Sequence, residues 1–378
     1  MRKVDFVFFD AGGGHRSAAT ALKTAVEQQS RDWDLRLVNL QEVLDPLDIF
    51  RKFTGVRLQD IYNRMLANGW TLGSGYLLPG MHGIIRMYHP AQVRMLSAYW
   101  KQSAPDLVVS VVPNFNRALL QGLRRSPSRA PFVTILTDFA DYPPHFWIER
   151  QDQFLICGTD RAVSQARRMG YPPDKLFRTS GMILRPNFYQ EFTHNKAEEL
   201  KKLGLEPDKP TGLVLFGGHG SAHMLRIAER LEELADKVQL ILICGRNEKL
   251  ASDLRDMNSR LRIHVVGFTH EVPYYMSLSE FFVGKPGPGS ISESLAMGLP
   301  VIIERNAWTL PQERYNADWV RRHEVGLVVR SFGKICTAVE QLLEPSTMER
   351  FRRSVANVRN RAVFEIPEIL GNIMDKQR

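Results

Sequence analysis

Eleven strand-length apolar runs, most of them followed by a helical pattern, constrain this chain more than any other feature. In the first half they are "VDFVFF", "DLRLVNL", "DLVVSVV", "PFVTILTD" and "QFLICGT". In the second half they are "TGLVLFGG", "VQLILICG", "LRIHVVGF", "FFVGKPG", "LPVIIE" and "GLVVR". Runs rich in β-branched and aromatic residues that alternate with helical stretches such as "SAATALKTAVEQQ" and "NRALLQGLRR" imply parallel, doubly wound sheets. At 378 residues the chain exceeds what one hydrophobic core supports, so two domains are expected. A polar, proline-bearing stretch near 187–210 reads as the linker. The expected class is therefore α/β, with two Rossmann-like domains facing a central cleft. The expected division is 1–190, 191–345, and C-terminal helices over 346–378 that pack back on the first domain.

One segment breaks the alternation. Residues 45–101 carry no strand pattern; Phe50, Phe53, Trp70, Tyr76, Met81 and Ile84 mix there with Arg51, Lys52, Arg57, Arg64, Arg86 and Arg94. Such an insertion suits a surface that rests in lipid headgroups. It equally suits a helical subdomain with its aromatics inside. Charge is distributed unevenly. Residues 1–190 hold 24 Lys and Arg against 16 Asp and Glu, a net +8, while the remainder holds 26 against 25, a net +1. That asymmetry points to an anionic partner for the first half, either anionic lipid or nucleic acid. The aromatics there cluster with aliphatics rather than in an RNA-binding motif, so no nucleic acid is expected. Cys157, Cys244 and Cys336 lie far apart with no CxxC, which implies a reducing compartment and no zinc site. No signal-peptide pattern opens the chain, and no run reaches the roughly 20 apolar residues a membrane span needs.

The turn "DAGGGHRSAATAL" at 10–22 follows the first strand and opens a helix. Gly13 and Gly14 leave room for a bulky group, and backbone N–H groups at a helix N-terminus favour an anion. The spacing is neither G-x-G-x-x-G nor a P-loop. His15 stands in the first helical turn, where an imidazole tends to stay neutral and can accept a proton from a hydroxyl. A plain helix-capping histidine fits the same position.

The second half holds a denser constellation. In "KPGPGSISESLAMGLPVIIERNAWTLPQERYNADW" at 285–319, Gly287 and Gly289 open a helix whose first turn carries Ser290. Glu293 lies one turn further and could accept from two ribose hydroxyls. Gln312, Glu313 and Asn316 in "PQERYN" are short polar groups suited to sugar hydroxyls. "LFGGHGS" puts Gly217 and Gly218 in a second strand-to-helix turn, and "VVGFTHEVPYYM" puts Gly267 and Phe268 after a strand, where backbone could face a base. A tight turn without a ligand is the alternative for each.

Together "GGGHRSA", "TDF…HFW", "GMILRPNF", "FGGHG", "VGFTHEVPYYM", "KPGPGSISE" and "PQERYN" resemble glycosyltransferase family 28, most closely its monogalactosyldiacylglycerol synthase and processive diacylglycerol glycosyltransferase branch. The resemblance implies a GT-B fold and inverting transfer of a hexose, galactose or glucose, from a UDP-sugar to diacylglycerol. It implies His15 as the base, with Asp138 orienting it or competing for that role. Arg185 would meet the donor diphosphate, Glu293 the ribose, Gln312 and Glu313 the hexose, and Trp147 would line the acceptor site beside Gly13 and Gly14. No metal and no cofactor is implied; Asp138 and Asp141 form a D-x-x-D that reads as structural or acceptor-facing. The implied partners are a UDP-hexose, diacylglycerol and an anionic membrane surface, and the implied location is peripheral, on the cytoplasmic face of a bacterial membrane. A UDP-N-acetylglucosamine-using enzyme of the same fold, whether a lipid-linked N-acetylglucosaminyltransferase or a 2-epimerase, is the nearest alternative. A nucleic-acid-binding protein is the alternative from another class.

Overall fold

The computed structural model describes residues 1–10, 14–45, 74–142 and 146–376. Gly13 and the 46–73 part of the insertion, with Phe50, Arg51, Lys52, Phe53, Arg57, Arg64 and Trp70, lie outside the described residues. The described chain divides into two compact units. One gathers the residues up to Pro186 and from Asn360 onward, and the other spans Asn187–Arg359.

The first unit holds a six-stranded sheet of β1 (Arg2–Phe8), β2 (Trp33–Asn39), β3 (Leu107–Ser110), β4 (Phe132–Ile135), β5 (Phe154–Cys157) and β6 (Leu176–Arg178), in the order β2-β1-β3-β4-β5-β6. Every adjacent pair is parallel. Helices on both faces bury the central strands completely, which is why β3 and β4 read as unbroken apolar runs rather than alternating ones. The edge strand β6 escapes that sequence signal: "LFR" is three residues long and only half-buried at most.

The second unit repeats the plan. Its strands are β7 (Thr211–Leu215), β8 (Gln239–Ile243), β9 (Ile263–Val266), β10 (Phe281–Gly284), β11 (Val301–Glu304) and β12 (Gly326–Val329), in the order β12-β11-β10-β7-β8-β9. All its pairs are parallel too. All six correspond to runs read from the sequence.

The described part of the insertion is the long helix Ser74–Ser103. Val93, Leu96 and Trp100 on it are buried against the helix Asn116–Arg125. Gly122 permits the close crossing, since a methyl group there would meet Leu96 Cβ at 2.6 Å. The end of the long helix is tied to the sheet by Asp5, fully buried in β1, which pairs with Arg36 Nε at 2.7 Å and accepts from Ser103 Oγ at 3.2 Å. Burial pushes the Asp5 pKa up, against the pull of the Arg36 charge.

Of the C-terminal helices, Pro345–Ala356 buries Met348 and Phe351 in the core of the second unit. Ala362–Lys376 belongs to the first unit. Gln29 Nε2 donates to the Phe364 carbonyl at 3.1 Å, Arg2 pairs with Asp375 at 2.6 Å, and Ser180 N–H donates to Glu365 Oε2 at 2.8 Å.

Candidate active site

The strand order of each sheet reverses beside one strand, and open parallel sheets take ligands outside the carboxyl ends of the strands at that reversal. In the first unit the reversal falls between β1 and β3, with β2 on the other side of β1. The helix Gly14–Gln28 is the next element described after β1, and His15 stands in its first turn. Gly14 is exposed, with no described residue within 4 Å of where a side chain would begin.

His15 is half-buried. Thr137 Oγ1 lies 3.3 Å from its Nδ1, and its ring centroid is 5.9 Å from that of Trp147. Burial lowers its pKa from 6.5 to about 4, while a hydrogen bond to the backbone of Val111 opposes the shift. The ring is therefore neutral at pH 7, and a neutral imidazole carries one donor and one acceptor nitrogen.

Trp147 was expected to line the acceptor surface, but it has no exposed surface at all. Its indole Nε1–H donates to Asp138 Oδ2 at 2.8 Å, and its backbone N–H donates to Asp141 Oδ1 at 2.7 Å. Asp141 is clamped in turn by Gln165, which accepts from its N–H at 3.0 Å and donates to its carbonyl at 2.8 Å. An indole buried with its one donor satisfied is a support, so Trp147 walls His15 and fixes Asp138 rather than touching bulk acceptor. Asp138 itself is half-buried. Arg16, the residue after His15, pairs with Asp10 at 2.6 Å. Arg185 is half-buried in the loop after β6, within the first unit.

In the second unit the reversal falls between β7 and β10. Gly217 and Gly218 follow β7, and Gly287 follows β10 after Lys285 and Pro286. Gly217 has φ +82°, a left-handed conformation that favours glycine. The Gly218 carbonyl accepts from Arg246 N–H at 2.9 Å, and the Arg246 guanidinium lies 4.7 Å over the ring of Phe268. Phe268 is 50% exposed, a large apolar ring left open to a partner. Gly267 beside it is half-buried.

Gly287 precedes the helix Pro288–Ala296, which carries Gly289, Ser290 and Glu293; Gly289 is exposed, and Ser290 and Glu293 are half-buried. Glu313 is buried at 8% exposure and accepts from Lys285 Nζ at 3.2 Å. Gln312 beside it is half-buried. Asn316 is wholly buried, its Nδ2 donating to the Pro286 carbonyl at 2.8 Å, while its Oδ1 has no hydrogen-bond partner among the described residues. Asn316 thus braces the loop that carries Lys285. Sequence reasoning passed over Lys285; the only available signal was a cation set directly before a glycine-opened helix. The structure joins Gly217, Gly287, Lys285, Glu313 and Asn316 into one group in this unit, and His15, Asp138 and Trp147 into another in the first.

Residues 213–354 match the glycosyltransferase family 28 C-terminal domain, and residues 15–182 match monogalactosyldiacylglycerol synthase. The chloroplastic monogalactosyldiacylglycerol synthase of Spinacia oleracea is 26% identical over 396 residues, covering 99% of this chain and 73% of that protein. Among solved structures, MurG of Acinetobacter baumannii superposes with a TM-score of 0.63 at 13% identity, covering 98% of this chain and 100% of that one. The UDP-GlcNAc 2-epimerase of Methanocaldococcus jannaschii gives 0.57 at 16% identity, covering 98% and 99%. These structures share the fold, which is GT-B. The chain thus resembles family 28 in its rear half and monogalactosyldiacylglycerol synthase in its front half.

Proposed function

We propose, for a glycosyltransferase with family 28 resemblance in its rear half and monogalactosyldiacylglycerol synthases among its homologues, that it moves a hexose from a UDP-sugar to diacylglycerol with inversion. The observation that carries this reading is the pair of switch-point sites: a neutral imidazole at one, a glycine cradle with polar side chains at the other. The names of the homologues support diacylglycerol as the acceptor.

In the proposed step His15 takes the proton of the acceptor hydroxyl as its oxygen attacks the anomeric carbon. The bond from that carbon to the UDP oxygen breaks, and the electron pair leaves with UDP. Arg185 and the N-terminus of the Pro288–Ala296 helix offset the charge gathering on the diphosphate. Glu293 accepts from the ribose, Gln312 and Glu313 hold the hexose, and Phe268 faces the base. Asp138, fixed by Trp147, orients the base side of the site. No metal and no cofactor enters this reading.

An anionic membrane surface is the proposed partner of the first unit. The helices Ser74–Ser103 and Asn116–Arg125 contain no Asp or Glu. Helical periodicity sets Met87, Arg94 and Lys101 on one stripe of the first helix, and these three and Arg86 are exposed. Met87 is 67% exposed. No described helix is long and apolar enough to cross a membrane. The chain would act as a peripheral protein, on the cytoplasmic face of a bacterial membrane.

The test is transfer of label from UDP-galactose, UDP-glucose and UDP-N-acetylglucosamine into chloroform-soluble product, with and without diacylglycerol. Label in lipid only when diacylglycerol is present supports the reading. Epimerised UDP-N-acetylglucosamine with no labelled lipid replaces it with the epimerase alternative.

A further inference from the structure

Lys285 occupies the centre of the second unit's switch-point group. Strand β10 ends at Gly284, which pairs with Leu215 of β7, so the residues that follow the two strands emerge side by side. A methyl group placed on Gly217 would meet Lys285 Cε at 4.0 Å, and one on Gly287 would meet it at 3.4 Å and Glu313 Oε1 at 3.8 Å. The lysine stem therefore lies within van der Waals reach of both glycine turns. Its ammonium, on a side chain 40% exposed, bonds a carboxylate that is nearly buried. The loop beneath is braced through Pro286 by wholly buried Asn316.

We infer that Lys285 is the cation that receives the donor's phosphates, and that its bond to Glu313 aims that carboxylate at the transferred sugar. The inference rests on the UDP-sugar reading above. Glycine turns present N–H groups to phosphate but carry no full charge, and a lysine is a compact charge with three donors. A phosphate oxygen entering between the two turns meets Nζ without displacing backbone. Nζ can keep Glu313 on one donor while giving another to the phosphate. Arg185 belongs to the first unit, so Lys285 is the cation that the sugar-nucleotide half brings to its own glycine cradle. The assignment makes Glu313 dependent on Lys285 for its orientation, so the two act as a pair rather than as separate contacts.

Calorimetry with UDP, UMP and uridine on the full chain tests this. For K285M, UDP affinity should fall by about ten-fold or more, the effect of losing one charge-assisted hydrogen bond. Uridine affinity should stay as in the wild type, and K285R should recover part of the loss. E313Q should retain UDP affinity while lowering turnover with the intact UDP-sugar. Equal UDP affinity in K285M and wild type overturns the inference. So does a K285M loss that extends to uridine, or an E313Q loss of UDP as large as that of K285M, since either means a structural ion pair. Wild-type protein that binds neither UDP nor uridine overturns instead the donor reading on which the inference stands.

Discussion

Trp147 donates its indole N–H to Asp138 Oδ2 across 2.8 Å. The same ring packs beside His15, with centroids 5.9 Å apart. One buried side chain thus holds the acid and walls the imidazole, and removing its nitrogen separates the two roles. Trp147→Phe keeps most of the packing and takes one donor from Asp138. The expected cost is about 1–3 kcal/mol in stability, or roughly 2 to 4 °C in Tm per kcal/mol for a unit of this size. Turnover should fall with UDP affinity unchanged. A Tm shift with kcat and KM both unmoved would show that Trp147 only packs.

His15 is the proposed base, so His15→Ala should reduce kcat by about 10²- to 10⁴-fold, the range for losing a positioned proton acceptor. UDP affinity should stay near wild type, because the proposed role of the ring is toward the acceptor hydroxyl and not toward the nucleotide. Stopped assays at saturating UDP-sugar, with UDP binding measured in parallel, give both numbers. Wild-type turnover in the variant would remove His15 from the mechanism and leave Asp138 as the base.

Burial makes the same residue a source of acid sensitivity. Its pKa in the folded chain is lowered to about 4 from an ordinary 6.5, because the charged ring is disfavoured inside. As pH falls, the unfolded chain takes up the proton first. Stability from this group is therefore complete above about pH 6.5, declines between 6.5 and 4, and is level below. The full decline is about 3 kcal/mol, at 1.36 kcal/mol per unit. Urea midpoints at pH 7 and pH 4.5 should separate more in the wild type than in His15→Gln. Parallel pH dependence in the two would show that folding does not lower the His15 pKa.

Much of this was legible in the sequence, for reasons particular residues make plain. Strands buried on both faces, such as β7 with "TGLVL", announce themselves as continuous apolar runs. Edge strand β6, with "LFR", is three residues long and half-buried at most, too short to give such a run. The place of His15 in the first turn of a helix was readable because the glycines of "GGGHRSA" follow the first strand, and the helix Gly14–Gln28 begins there. Trp147, which the resemblance put at the acceptor site, is wholly buried, and only the positions of Asp138 and Asp141 reveal that its polar atoms are satisfied inside. Lys285 was missed because its significance depends on β10 lying beside β7, a pairing between residues nearly seventy positions apart in the chain.

The acid-free stripe on the first unit leads to a prediction about association rather than catalysis. Arg86, Arg94 and Lys101 are exposed on a helix with no carboxylate of its own. Near an anionic bilayer each such charge contributes about 1 kcal/mol, and the attraction fades within a Debye length of about 10 Å at 0.1 M salt. Replacing all three with serine should therefore weaken sedimentation with vesicles containing phosphatidylglycerol by about 3 kcal/mol, and raised salt should weaken the wild type toward the variant. Transfer to a short-chain, water-dispersed diacylglycerol should persist, because none of the three belongs to either switch-point group. Met87 supplies the control: at 67% exposure its removal should weaken vesicle binding without changing the salt dependence. If the triple variant binds vesicles as the wild type does, this helix is not the face that meets the bilayer, and the lipid-contacting surface must lie elsewhere on the first unit.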